Sequence, residues 1–368
     1  LGSSQVGALT TAQIVVINTA DVAALSTAGI SGLNTAQVVA LTTAQVGVVG
    51  SAQIGALSTT QLVALETVDV SVLSTLAIVG LSASQVGALT TAQIVGINTA
   101  DIGALGTEEI GGLATAQVVA LTTAQAGVLG ASQIGALTSA QLIVITTTDV
   151  GALSTGAIAG LNTAQVVALT TAQTRALGSA QVGALLTSQV VALTSAEVAS
   201  LSTAGIAGLS AVQIPLLSSD QVRVLNSAQV RTLSTSQIAA LTSAEVAALS
   251  AAGAIGLSST QVAVMTSQLV ALTTADVAVL STAVIANLGT AQVVGLSTDQ
   301  AAALSSAQVG VLLTSQVVAL ETADVSAFST AGVLGLTSVQ IPVLSTAQAA
   351  SLGSSQVGAL TTAQIVVI

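Results

Sequence analysis

Residues 161–168 read LNTAQVVA, and residues 169–173 begin the next copy, LTTAQ. The unit is an octapeptide. Position one is Leu, and position two is Ser, Thr, Asn or Gly. Position three is Thr or Ser, position four Ala, position five Gln and position six Val or Ile. Position seven varies, and position eight is Ala, Gly or Val. Copies run outward from this stretch through the whole of residues 1–368 without a linker. Self-similarity at a short fixed period identifies a repeat architecture, which grows in one dimension and needs no single large core.

Position two carries the residues that cap helix N-termini. Position five, three residues on, is Gln, Asp or Glu. The pair makes a capping box, in which the side chain at two accepts from the N–H at five and the side chain at five accepts from the N–H at two. Leu at one and Val or Ile at six take the N′ and N4 places of a hydrophobic staple. On a helical wheel, positions four, six and eight and the next Leu fall on one arc. Positions three and seven fall opposite, and position seven gathers Arg175, Pro215, Arg223, Arg231, Ser326 and Pro342. It reads as a solvent position.

The fold expected is therefore all-α: a solenoid of one- to two-turn helices of six or seven residues, one per octapeptide. Isolated helices shorter than about 12 residues are marginal, so each octad needs stacked neighbours. The alternative is a β-solenoid. Val, Ile and Thr favour strands, and Pro215 and Pro342 stand where a helix wants an N–H. A flat strand, however, cannot bury positions one and six together, because they have opposite parity. On the helical reading the two prolines shorten their helices to about one turn.

The register holds from Leu1 to Leu257, slips by one residue in the heptad at 265–271 (MTSQLVA), and resumes at Leu272. Octads without Gln, such as LSTAGIAG at 201–208, start at Leu25, Leu73, Leu153, Leu201, Leu249 and Phe328, with looser forms at Leu105 and Leu280. The octad before each carries an acid at position five: Asp21, Asp69, Asp101, Asp149, Glu197, Glu245, Asp276 and Asp324. The usual spacing is 48 residues, with shorter steps of 32 and 31. Blocks of six and four octads suggest an even number of octads per turn. Residues 352–368 repeat residues 1–17, which points to a single continuous array, 1–368, belonging to a longer repeat protein.

Composition narrows the function. Phe328 is the sole aromatic residue, and His, Cys, Lys, Trp and Tyr are absent. The commonest acid–base, nucleophilic and soft-metal chemistries lose their side chains. No catalytic residue and no cofactor is expected, and the chain does not read as an enzyme. A net charge of −11, with Arg175, Arg223 and Arg231 the only cations, excludes a nucleic-acid surface. Polar residues interrupt every apolar run, so no stretch reaches the roughly 20 residues of a membrane span. Three arginines and no lysine leave little for trypsin-like proteases.

The acids read first as capping-box residues. A second reading is calcium, which takes carboxylate and carbonyl oxygens. Glu66 with Asp69, and Glu321 with Asp324, place acids at positions two and five of one octad and are the metal candidates. Glu108 and Glu109 form another pair. Glycosidase chemistry also uses paired carboxylates, but nothing here supplies an aromatic sugar platform. The Gly-containing octads lack the Lys of a phosphate loop. Apolar residues at position seven, such as Val39 and Val167, make exposed stripes that invite lateral association.

Units such as LTTAQVGV at 41–48 resemble the Thr/Ala/Gln-rich short repeats of very large bacterial surface and adhesin-like proteins. That resemblance implies a secreted or surface-attached stalk or fibre. The octapeptide period is also similar to that of ice-nucleation proteins, but their Thr-x-Thr ladder and aromatics are missing. The expected function is a structural, extracellular or cell-surface filament, sheath or stalk that packs on itself. An adhesin stalk or a calcium-binding repeat module is the alternative.

Overall fold

The structure is a computed structural model that describes residues 1–367. Ile368, the last residue of the repeated terminal stretch, lies outside the described residues. Among the described residues there are 43 α-helices, three 3₁₀ helices and no strand, with one helical element in each repeat unit. The all-α solenoid reading holds, and the β-solenoid does not.

Residues 161–168 show how one octad folds. Leu161 is buried, Asn162 is extended at φ −79° and ψ 165°, and the helix runs Thr163–Ala168. Asn162 Oδ1 accepts from Gln165 N at 2.9 Å, and Asn162 N donates to Gln165 Oε1 at 2.8 Å. The helix ends when Leu169 turns extended, at φ −56° and ψ 134°, while its N–H still donates to Val166 O at 3.1 Å. Two extended residues, Leu and cap, thus separate successive helices. Where position two is Gly50, Ala114 or Leu313, only the Gln half of the box forms.

The α-helices are four to six residues long, shorter than the wheel assumed. Their buried residues differ from the expected arc. Leu at one and Val or Ile at six are buried, but Ala at four is exposed, and Gln at five is buried instead. Position seven faces solvent as expected, with Val39 50% and Val167 49% exposed.

The chain falls into two compact units, residues 1–177 with 184–192, and residues 178–183 with the chain from 193 onward. In the first, each helix packs on the third one along: Ser3–Gly7 on Thr27–Ser31, and Ala131–Ala136 on Thr155–Ala159. The second repeats the pattern, with Ser179–Gly183 on Thr203–Gly208 and Ser306–Gly310 on Thr330–Leu334.

The glycine octads mark the tightest stacking. A Cβ on Gly160 would lie 2.5 Å from Ala131 Cα, and one on Gly208 would lie 2.6 Å from Ser179 Cα. Among the described residues no glycine has a positive φ, so these glycines supply space rather than backbone freedom.

The irregular units keep the pattern. Pro215 and Pro342 lie in 3₁₀ turns, Ile214–Leu216 and Ile341–Val343, as the shortened-helix expectation requires. The heptad forms a third, Leu269–Ala271.

Candidate functional site

The sequence assigns Gln at position five to its own cap. Its amide also joins one turn to the next. Gln165 Nε2 donates to Leu137 O at 2.6 Å and to Ile134 O at 2.9 Å, 28 and 31 residues back. Gln93 reaches Leu65 and Leu62 at 2.8 and 2.9 Å, and Gln308 reaches Leu280 and Val277, both at 2.8 Å. These residues are buried, at 2% exposure each. The carboxamide therefore has no idle side. Its oxygen closes the cap and its NH₂ satisfies carbonyls of the turn below, two of the groups that burial makes costly when unpaired.

This register corrects the even count of octads per turn. The bond to the residue 28 back corresponds to three and a half octads. It also shows how the heptad is absorbed. Gln268 bonds Ala239 O and Leu241 O, both at 3.0 Å and 29 and 27 residues back. Gln300 is again 28 residues from its partner, Leu272 O, at 2.6 Å.

The acids occupy the same buried place with different chemistry. Asp149 is satisfied: Thr123 Oγ1, from the turn below, donates to Oδ1 at 2.7 Å, and Thr146 Oγ1 donates to Oδ2 at 2.6 Å. Glu245 is not. Its Oε2 accepts from Thr242 N at 2.6 Å, while Oε1 is buried with no hydrogen-bond partner. In the Gln register, the second head-group atom of residue 245 would donate to the carbonyls of Ile214 and Leu217. Among the described residues no donor reaches Leu217 O. Burial pushes the Glu245 carboxyl above the usual carboxylate range, opposed by the Thr242 N–H and hydroxyl. Glu197 is raised in the same way against Thr194. Asp101 Oδ1, Asp276 Oδ1 and Asp324 Oδ2 are likewise buried without a partner.

The calcium candidates divide into an exposed and a buried member. Glu66 and Glu321 sit at exposed N-caps without a side-chain cap bond. Asp69 and Asp324 are buried at position five, at 3% and 2% exposure. Burial raises the Asp324 carboxyl first and the charge of Glu321 raises it further, while the Glu321 N–H and the Thr298 hydroxyl oppose. Glu108 is exposed and Glu109 half-buried. Among the described residues no group of three or more His, Cys, Asp or Glu comes together to hold a metal, whereas calcium takes six to eight oxygens.

The remaining features carry no chemistry of their own. Arg223 pairs with Asp220 on its own helix at 3.2 Å, an exposed pair worth little. A cavity of about 210 Å³ beneath Ile341–Val343 is lined by aliphatic side chains such as Leu336, Pro342, Leu352 and Leu360. Among the described residues no helix is long and apolar enough to cross a membrane.

The family model of the ALTTAQ repeat matches residues 14–49, 62–96, 94–131, 142–177, 167–195, 190–227, 219–251, 269–306 and 317–354. No curated protein and no solved structure matches the chain. The matches cover most of the sequence, and the chain belongs to the ALTTAQ-repeat family.

Proposed function

We propose that this chain is a structural, non-catalytic protein: an ALTTAQ array that packs on itself as an extracellular filament, sheath or stalk. The Gln ladder carries the reading. Between Gln37 and Gln364 the Gln-bearing octads repeat the amide bond to the turn below, so most turns offer the next an equivalent surface. Such an array extends by repetition, and its stability is a sum of units and nearest-neighbour interfaces. The near absence of Lys and Arg suits exposure outside a cell. Electron cryo-microscopy of the purified native material tests this. Ordered filaments or sheaths with continuous helical density are expected. Dispersed short particles at every concentration would overturn the filament.

A second reading, calcium binding, is favoured by one observation: buried, unpartnered Asp324 Oδ2 with Glu321 at the same cap. It requires a rise in melting temperature on adding calcium that chelator reverses and that Asp324→Asn abolishes.

A further inference from the structure

Position seven is exposed or half-buried in each unit, but its apolar residues are unevenly placed. In the first compact unit, Val95, Val119, Ile143, Val167 and Val191 recur every 24 residues and are 45–60% exposed. They sit on five helices, Thr91–Gly96, Thr115–Ala120, Ser139–Leu142, Thr163–Ala168 and Thr187–Ala192 or the residue that ends them, and each helix packs on the next. On the intervening helices of the same turns position seven is mostly Gly, as at Gly103, Gly127 and Gly151. The unit thus bears a five-residue apolar row, longer than the three-residue row at the same spacing, Val15, Val39 and Val63, which are 47%, 50% and 41% exposed. Because a turn takes 28 residues and the row recurs every 24, it runs obliquely across the turns. The second unit carries a row of its own at the same spacing, Val270, Val294 and Val318, at 52%, 45% and 58% exposure.

We infer that the row from Val95 to Val191 is the seam along which a second copy of this chain docks side by side. This rests on the self-packing role proposed above and names its contact surface. Three observations select a second copy as the occupant. First, only a partner with the same 24-residue recurrence and slant meets all five side chains in turn. Second, none of the five helices carries a charged residue, so two chains of net charge −11 meet there with no like charge on either row. Third, five half-exposed Val and Ile side chains supply on the order of 400 Å², against roughly 800 Å² per partner in a standard interface. A single row therefore gives a weak pair, and its strength grows with the number of turns.

The chain contains no cysteine, so one introduced thiol reports the contact cleanly. Ile143→Cys places it on the row. Gly151→Cys places it at the next position seven, also exposed, where a Cβ meets only ordinary contacts. Under mild oxidation the first variant is expected to form disulfide dimers at least about tenfold faster than the second. Replacing all five row residues by Thr should weaken concentration-dependent association in sedimentation equilibrium at least about tenfold, with circular dichroism unchanged. Equal cross-linking rates, or unchanged association of the five-fold variant, would overturn the seam. The micrographs judge the filament separately: filaments that persist without a row-specific cross-link remove the seam alone, and a row-specific cross-link between dispersed short particles removes the filament alone.

Discussion

The octads at 161–168 and 241–248 differ where it matters by a single group. Gln165 and Glu245 both accept the N–H of their own cap, at 2.8 and 2.6 Å, and both sit at the start of a six-residue helix. Gln165 then donates to Leu137 and Ile134, whereas Glu245 Oε1 has no partner. The comparison separates two functions that one residue usually combines. Capping needs an acceptor, which amide and carboxylate share. The bond to the turn below needs a donor, which only the amide or a protonated acid provides.

The largest expected effect tests whether the glycine octads are held as closely as the Gln octads are bonded. Gly160→Ala drives a methyl group into the backbone of Ala131. A loss of about 3 kcal/mol or more is expected from such overpacking, read as a lower guanidinium midpoint. A next step isolates the cap: Asn162→Ala removes the side-chain acceptor but leaves the Gln165 amide in place, and about 1 kcal/mol should be lost. The smallest effect has the opposite sign. Glu245→Gln restores the missing donor, and a gain on the order of 1 kcal/mol is expected at neutral pH.

The same residue sets a pH dependence. The folded pKa of Glu245 is raised. Its contribution to stability is therefore fully present below the unfolded-state pKa and is lost as pH rises through the folded value. Melting in mild acid should exceed melting at neutral pH, and Glu245→Gln should flatten part of that slope. A slope identical in the variant would place the pH dependence elsewhere.

Much of this was legible in the residues. The hydroxyl or amide at two with Gln at five encodes one capped helix per octad, and Pro215 and Pro342 encode their short 3₁₀ turns. The wheel misassigned Ala at four because it assumes one unbroken helix. Leu and the cap are extended between helices, so helical phase does not carry from one octad to the next. The role of Gln was half visible. A capping box works with Glu as well as Gln, so the persistent choice of Gln signalled a need for N–H donors, but not where their acceptors lay. Those lie 28 residues back, in another turn, and only the stacking reveals them. The candidate pairs Glu66/Asp69 and Glu321/Asp324 were read as neighbours on one cap, which they are, but burial of one member and exposure of the other depend on that stacking too.

The cross-turn bond is tested most directly by Gln165→Glu, with unfolding measured at neutral and at mildly acidic pH. The cap acceptor is retained and the donor removed. A loss of about 1–3 kcal/mol is expected at neutral pH, shrinking in acid as the buried carboxyl takes up a proton and can donate to Leu137 again. Stability equal to that of the parent chain at both pH values would mean that Gln165 only caps its own helix, and that the turns are held together by Leu and Val packing alone.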